Sequence, residues 1–169
     1  GDHHAIACAS RILKETQCQS VKLEGGSEQA GTIRALVAAG IPVMGHIGLK
    51  PQSVRTMGGY KVQRDEDNLL QDAIAVEKAG AFSVVLECVS TAIAAKISES
   101  LSIPTIGIGA GINCDGQVLV LNDLLGLTTS PPRFVKEYAQ LGSTIAAAVS
   151  EFRKDVQSQT FPDSSHSYQ

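Results

Sequence analysis

Hydrophobic and polar residues form alternating blocks along the chain, and these blocks predict helices and strands in turn. Apolar residues that recur every three or four positions predict helices, and short apolar runs bounded by Gly or Pro predict buried strands. Ser27 is predicted to cap the second helix, and Gly40 to end it. The predicted helices span residues 2–16, 28–39, 68–78, 91–100 and 132–154. The predicted strands span residues 20–24, 41–47, 82–89 and 103–109, with a strand or extended segment over 117–121.

This alternation predicts βαβ units and therefore a parallel α/β sheet. A doubly wound sheet and a (β/α)8 barrel both fit the pattern. Polar side chains near the ends of several strands favour the barrel, because a doubly wound sheet concentrates its chemistry at one switch point. A full barrel takes roughly 250 residues, whereas this chain has 169. We therefore expect part of a barrel over residues 1–156, followed by a polar tail over 157–169.

Composition narrows the classes of partner. The net charge is only −3, no run of Lys or Arg is present, Trp is absent and aromatic residues make up 4%. These features argue against a nucleic-acid partner. No apolar run approaches the roughly 20 residues of a membrane span, so a membrane partner is not expected either. The four cysteines lack Cys-x-x-Cys spacing, which favours free thiols.

Two glutamates, Glu24 and Glu87, each stand at the end of an apolar run that is predicted to be a strand. The carboxyl ends of parallel strands form the active face of α/β folds. A carboxylate at that position is a candidate metal ligand or general base. The alternative is a structural role, as a salt-bridge partner or a helix cap.

Two further polar residues are predicted to lie at the same edge of the sheet. Lys22 is two residues before Glu24, and the period of two in a strand places both side chains on one face. That pair suits an anionic substrate held near a divalent cation, and an ion pair within the strand is the alternative. His46 lies between Gly45 and Gly48, which allow close backbone approach. His46 is a candidate donor to a substrate oxygen or, alternatively, a structural donor.

The glycines of residues 107–111 predict a tight loop at the rim of the site. Their spacing is Gly-x-Gly-x-Gly, and residues typical of turns follow over 112–116. A dinucleotide-binding fingerprint needs Gly-x-Gly-x-x-Gly at the start of a helix. We therefore interpret the segment as a loop that leaves room for a substrate.

Several segments together resemble the ketopantoate (3-methyl-2-oxobutanoate) hydroxymethyltransferase family. They follow one another in order from the first helix into the tail, and several are long and unusual. The segments are residues 21–26 (VKLEGG), 45–53 (GHIGLKPQS), 58–63 (GGYKVQ), 85–89 (VLECV), 106–111 (IGIGAG) and 114–120 (CDGQVLV).

The resemblance implies a (β/α)8 TIM barrel of the phosphoenolpyruvate/pyruvate superfamily, of which this chain is the C-terminal half to two-thirds. It implies a Mg²⁺-dependent enzyme of pantothenate biosynthesis. The one-carbon unit of 5,10-methylenetetrahydrofolate passes to C3 of 3-methyl-2-oxobutanoate, which gives 2-dehydropantoate. The resemblance also implies a homo-oligomer, a decamer. The location would be cytoplasmic, or mitochondrial in a eukaryote.

By the same resemblance, four residues of this sequence take roles in the site. Glu24 would bind Mg²⁺ directly or through water, and Lys22 would hold the 2-oxoacid. Glu87 would be the general base at C3, and His46 would contact substrate or product oxygens. The chemistry is consistent, because a 2-oxoacid offers two oxygens to a hard cation, and Mg²⁺ prefers oxygen ligands. Residues that bind the folate are not identified.

The sequence also departs from the family pattern. Earlier strands of the family supply two aspartate ligands and a serine that are not in this sequence. The segment after Gln63 is shorter than expected, and Asn122 stands where histidine is expected. Two alternatives therefore stay open: a truncated, non-catalytic paralogue that acts as a partner subunit, and another lyase of the superfamily with a different oxoacid.

Overall fold

The computed structural model describes residues 1–53, 55 and 59–168. Gly58, in one of the segments that resemble the family, and Gln169 of the predicted tail lie outside the described residues. The chain divides into two compact units, Gly1–Val118 and Leu119–Gln169. The sequence instead predicts one domain over residues 1–156 and a tail thereafter.

Five parallel strands form one sheet in the first unit, and their spatial order is their order along the chain. A doubly wound sheet reverses its strand order at a switch point, whereas a barrel adds each strand beside the previous one. The parallel α/β prediction is confirmed, and the order is that of a strip of a barrel. The strands are β1 (Val21–Glu24), β2 (Val43–Gly48), β3 (Ser83–Glu87), β4 (Thr105–Ile108) and β5 (Gly116–Gln117).

Four helices pack on one face of this sheet, and each lies close to its predicted position. Alternate residues of β2 and β3 point towards the helices, so Val43, Ile47, Val84 and Leu86 lie in the core with apolar helix residues. A Cβ atom on Gly45 would lie 2.3 Å from Cγ1 of Val76, so glycine allows the close approach of strand and helix there. The helices are α1 (Asp2–Glu15), α2 (Ala30–Ala38), α3 (Glu66–Lys78) and α4 (Thr91–Ser100).

The helix ends confirm one prediction, at Gly40, contradict another, at Ser27, and add a cap at Asp65 that was not predicted. Gly40 follows α2 at φ +80°, as predicted for the residue that ends a helix. Asp65 caps α3 by accepting a hydrogen bond from the Asn68 N–H at 3.2 Å. The prediction that Ser27 caps the second helix is wrong. Ser27 opens a separate 3-10 helix, Ser27–Gln29, because its amide and hydroxyl bind Asp72 of α3.

The second unit contains α5 (Leu121–Leu124), α6 (Leu141–Gln157) and a 3-10 helix, Ser164–His166. The prediction of a helix over residues 132–154 is wrong for its first nine residues. The amides of Tyr138 and Leu141 donate to carbonyls of Leu124 and Leu125 at the end of α5. Those non-local hydrogen bonds replace the helical ones, so α6 begins only at Leu141. The predicted strand over residues 117–121 is also shorter: β5 ends at Gln117, and α5 begins at Leu121.

No helix among the described residues has the length and apolar character needed to cross a membrane. All four cysteines are free thiols, as predicted.

Candidate active site

The predicted site residues Glu24, His46 and Glu87 come together at the carboxyl ends of three neighbouring strands. Glu24 is the last residue of β1 and Glu87 the last residue of β3. His46 lies on β2 between them, directly opposite Glu24 in the register of the sheet. Ile47, one residue further along β2, lies in the core with the helices. Because side chains alternate along a strand, His46 points to the opposite face of the sheet.

The imidazole of His46 lies between the two carboxylates. Its Nε2 atom is 3.0 Å from Oε2 of Glu87, and its Nδ1 atom is 3.9 Å from Oε1 of Glu24. The His46 side chain is 1% exposed, whereas the Glu24 and Glu87 side chains are 18% and 17% exposed. The histidine is therefore the enclosed member of the group, and both carboxylates reach solvent.

The contact between His46 and Glu87 is short, but its angles are not those of a hydrogen bond. Both ring nitrogens of His46 are buried without a hydrogen-bond partner among the described residues. A buried polar atom left in this state costs about 1–3 kcal/mol. A small rotation of either side chain would bring Nε2 into a hydrogen bond, whereas Nδ1 is too far from Glu24 for one. Nδ1 is buried without a partner among the described residues, and contact of His46 with a substrate oxygen stays a prediction.

Lys22 lies on β1 opposite Met44, with its side chain exposed. It is two residues before Glu24, so the two side chains share one face of the strand. Within the part of the chain that the structure describes, no ion pair joins Lys22 to Glu24. The alternative of an ion pair within the strand is therefore not supported, and the Lys22 ammonium is available to an anion.

The backbone around Glu87 is tightly fixed. The Leu49 N–H donates to the Glu87 carbonyl at 2.8 Å, and Cys88 continues the chain at φ +51°, a left-handed conformation that is uncommon for a residue with a side chain. A Cβ atom on Gly48, which has φ +90°, would lie 2.3 Å from the Glu87 carbonyl oxygen. Glycine at position 48 therefore lets β2 approach the end of β3 this closely.

Cys88 also lies beside the Glu87 carboxylate without being among the predicted site residues. Burial raises the pKa of the Cys88 thiol, and the charge of Glu87 raises it further. The Cys88 carbonyl accepts a hydrogen bond from the Gln63 N–H at 2.7 Å. Gln63 thus docks beside the end of β3, a contact for which its local sequence gives no signal.

The glycine-rich segment forms a loop between β4 and β5. Gly109 and Gly111 have φ values of +64° and +85°, and the Gly111 carbonyl accepts a hydrogen bond from the Gln117 side chain at 2.8 Å. The chain then enters β5 rather than a helix. The segment therefore lacks the strand-to-helix context of a dinucleotide loop.

Metal-ligand geometry is incomplete in this chain. Among the described residues, no group of three or more His, Cys, Asp or Glu side chains is placed to hold a metal ion. Glu24 fits the predicted role to the extent of one carboxylate: its Oε2 atom accepts the Gln52 N–H at 3.4 Å, and its Oε1 atom lies 3.9 Å from Nδ1 of His46. A shallow groove of about 440 Å³ runs along the exposed side of α3, between Asp67 and Lys78, away from these strand ends.

Comparisons with known proteins find one family along most of the chain. The model of the family described as ketopantoate hydroxymethyltransferase matches residues 1–164. Two curated relatives are named 3-methyl-2-oxobutanoate hydroxymethyltransferase. The relative from Carboxydothermus hydrogenoformans is 56% identical over 97% of this chain and 61% of its own length. The relative from Mesorhizobium japonicum is 57% identical over 96% of this chain and 58% of its own length.

The chain therefore spans about six tenths of the length of the curated relatives it matches. The expectation that it resembles only part of a family member is confirmed. Among solved structures, dihydrodipicolinate synthase from Agrobacterium tumefaciens is similar at a TM-score of 0.46. That likeness has 16% identity over 69% of this chain and 41% of the other, and it carries no conclusion about function.

Proposed function

The chain belongs to the ketopantoate hydroxymethyltransferase family, and from that premise we propose that it carries the proton-abstracting part of a hydroxymethyltransferase site. The reaction transfers the one-carbon unit of 5,10-methylenetetrahydrofolate to C3 of 3-methyl-2-oxobutanoate. With the addition of one water molecule, the products are 2-dehydropantoate and tetrahydrofolate. The observation that carries the proposal is the convergence of Glu24, His46 and Glu87 at three adjacent strand ends.

Glu87 is the proposed general base. Its carboxylate reaches solvent and lies at the end of a buried strand, so a substrate can approach it while its backbone stays fixed. The carboxylate accepts the C3 proton, and the electron pair of the broken C–H bond moves into an enolate of the 2-oxoacid. C3 then forms the new C–C bond to the one-carbon unit, whose two C–N bonds to the folate break, and water supplies the hydroxyl group of the product. His46 lies 3.0 Å from Glu87, and a small rotation would let its buried, unpaired ring hydrogen-bond that carboxylate or a substrate oxygen.

Lys22 and Glu24 are the proposed anchors of the 2-oxoacid. The exposed Lys22 ammonium would pair with the substrate carboxylate, which lies one bond from the carbonyl carbon. Glu24 would supply one oxygen ligand to Mg²⁺, and the two oxygens of the oxoacid suit the same hard cation. When bound, the ion would stabilise the enolate as a Lewis acid. Glu24 fits that ion as a single ligand, so the remaining ligands must come from substrate, water and groups outside the described residues.

Exchange of the C3 proton with solvent deuterium tests the base directly, because it needs neither the folate nor C–C bond formation. The 169-residue protein is incubated with 3-methyl-2-oxobutanoate and Mg²⁺ in D2O, and loss of the C3 proton signal is followed by NMR. The test variant is Glu87→Gln, which keeps the shape of the side chain and removes the basic oxygen. The control is Glu99→Gln, on the exposed side of α4. Transfer from methylenetetrahydrofolate is measured in parallel.

We expect exchange by the unchanged chain and by Glu99→Gln, with a loss of about 100-fold or more in Glu87→Gln, the usual scale of general-base catalysis. Equal exchange in Glu87→Gln would contradict the role of Glu87. A folded chain with no exchange and no transfer would favour the alternative of a non-catalytic partner subunit. Exchange without transfer would limit the chain to the proton-abstraction step.

A further inference from the structure

The segment that follows β2 touches both strand ends that carry the candidate carboxylates. We define this segment, residues 49–53, as the β2 loop. At its start, the Leu49 N–H binds the backbone carbonyl of Glu87 at 2.8 Å. Three residues later, the Gln52 N–H donates to the Oε2 atom of Glu24 at 3.4 Å. The loop therefore constrains the backbone of the proposed base and the side chain of the proposed metal ligand.

The hydrogen bond from Gln52 to Glu24 is long, so it needs support from elsewhere. Donor–acceptor distances in N–H···O bonds centre near 2.9–3.0 Å, and longer bonds are weaker. The support is an ion pair two residues away, in which Nζ of Lys50 lies 2.5 Å from Oε1 of Glu28. Glu28 lies in the 3-10 helix Ser27–Gln29 that follows β1, so the pair joins the segment after β1 to the β2 loop.

Glu28 is itself held at both carboxylate oxygens. Its Oε2 atom accepts the Gly26 N–H at 3.1 Å, while Oε1 takes Lys50. Burial would raise the pKa of Glu28, but the hydrogen bonds from Lys50 and from backbone amides hold that pKa below its ordinary value. The carboxylate is therefore charged, and paired, at neutral pH.

The segment after β1 is fixed in turn to the helical layer. The amide and hydroxyl of Ser27 both donate to Oδ1 of Asp72, each at 2.8 Å. Asp72 lies on α3, whose buried side pairs with the sheet. A continuous set of contacts thus runs from α3 through Ser27, Glu28 and Lys50 to the β2 loop.

We propose that Glu28 and Lys50 are positioning residues that act as a latch on the β2 loop. The latch keeps the Gln52 N–H on Oε2 of Glu24, which limits the rotation of that carboxylate. The role given to Glu24 rests on the proposed function, whereas the latch itself rests on the contacts above. Without the ion pair, the β2 loop moves away and the Glu24 carboxylate rotates freely.

The test uses a charge reversal with a matched control. Lys50→Met removes the charge and keeps most of the side-chain length. The double variant Glu28→Lys with Lys50→Glu restores an ion pair of opposite polarity. The control is Lys96→Met, because Lys96 makes an ion pair of the same length, 2.5 Å, with Glu66 on the outer helices. Circular dichroism and the thermal midpoint verify that each variant is folded.

Two readouts are followed in each variant. The first is the hydrogen-exchange rate of the Gln52 amide, measured by NMR without metal or substrate. The second is the split between KM and kcat in deuterium exchange at C3 of 3-methyl-2-oxobutanoate. In Lys50→Met we expect Gln52 to exchange about fivefold faster and KM to rise about fivefold, the scale of one exposed ion pair. We expect kcat to stay within about twofold, because Leu49 still holds the backbone of Glu87.

The double variant regains the ion pair but loses the Glu28 acceptor of the Gly26 N–H, so it is expected to recover part of the protection of Gln52 and part of the KM, while Lys96→Met changes neither. Unchanged exchange at Gln52 in Lys50→Met would overturn the latch. A fall in kcat at constant KM would also overturn it. If the chain shows no C3 exchange at all, the proposed function fails, but the Gln52 amide still reports on the latch independently.

Discussion

Each of the two units contains an amphipathic helix, but the two helices differ in how far their apolar side is buried. In Gly1–Val118, helix α2 buries Ile33 and Leu36 against the sheet. In Leu119–Gln169, helix α6 has no buried residue among those described. Its apolar stripe is between 37% and 62% exposed and consists of Leu141, Ile145, Val149, Phe152 and Val156.

Apolar periodicity is enough to form a helix, whereas a site with fixed side chains also needs a packed core behind it. Both helices have the periodicity that predicts them, yet only α2 has a packed partner surface. The candidate active site lies where packing is dense, because strand ends backed by a core hold their side chains in fixed positions. The second unit relies instead on local hydrogen bonds and aromatic contacts, such as Phe152 with Phe161 at 5.4 Å between ring centroids.

The largest expected effect comes from one substitution made in both helices. Ile33→Ala removes a side chain that is 0% exposed and should lower the free energy of unfolding by about 2–5 kcal/mol. Ile145→Ala removes a side chain that is 53% exposed and should change it by about 0.5 kcal/mol or less. Urea denaturation of both variants measures the difference. Equal losses would show that the apolar stripe of α6 is covered in solution.

An intermediate effect is expected from Gly48→Ala, which tests whether packing at the strand ends controls the site. The new Cβ atom would lie 2.3 Å from the Glu87 carbonyl oxygen, and a left-handed residue with a side chain costs about 1–2 kcal/mol besides. We expect lower stability in urea and a loss of C3 deuterium exchange.

Gly40→Ala is the matched control, because Gly40 has φ +80° and a Cβ atom there would meet nothing within 4 Å. Gly40→Ala should lose as much stability from the left-handed backbone as Gly48→Ala does, but it should keep the deuterium-exchange activity. If both variants lose activity equally, general destabilisation rather than displacement of Glu87 is the cause.

The smallest expected effect is the loss, at low pH, of the hydrogen bonds that Asp163 accepts in the second unit. Hydrogen bonds to Asp163 from the Ser165 hydroxyl, from the His166 ring and from their amides lower its pKa from 3.8 to about 2. Because the folded-state pKa is below the unfolded value, the stabilisation is complete above about pH 4 and is lost as the pH falls towards 2. The Ser165 amide shift in NMR spectra should report that loss. Asp163→Asn should abolish this pH dependence, whereas an unchanged titration would contradict the assignment.

The sequence predicted the first unit well because its pattern agrees with its packing. The alternation of apolar runs and periodic segments located β1 to β4 and α1 to α4 to within a few residues. The left-handed conformation of Gly40 after α2 is also a local property, and so it was predictable. The helix prediction was wrong over residues 132–140 because the amides of Tyr138 and Leu141 find their acceptors near residue 125, and helical propensity carries no information about such contacts.

The site was predictable in its members but not in its arrangement. Period two along β1 and the position of carboxylates at strand ends pointed to Lys22, Glu24 and Glu87, and the family resemblance assigned their roles. The enclosure of His46 between two carboxylates depends on the pairing of β1, β2 and β3. The latch between Glu28 and Lys50 joins residues 22 positions apart, and neither residue had any chemical signal of its own.

The pattern of residues along the chain was enough to place the helices and strands of the first unit to within a few residues and to indicate the family. Those properties are local, since they follow from side-chain chemistry and from the periods of helix and strand. Tertiary packing sets which polar groups meet and at what distance, and it moved the start of α6 to Leu141. It also decided which of two similar amphipathic helices is buried. Contacts of that kind depend on strand register and on the packing of distant segments, and these arise only when the whole unit folds.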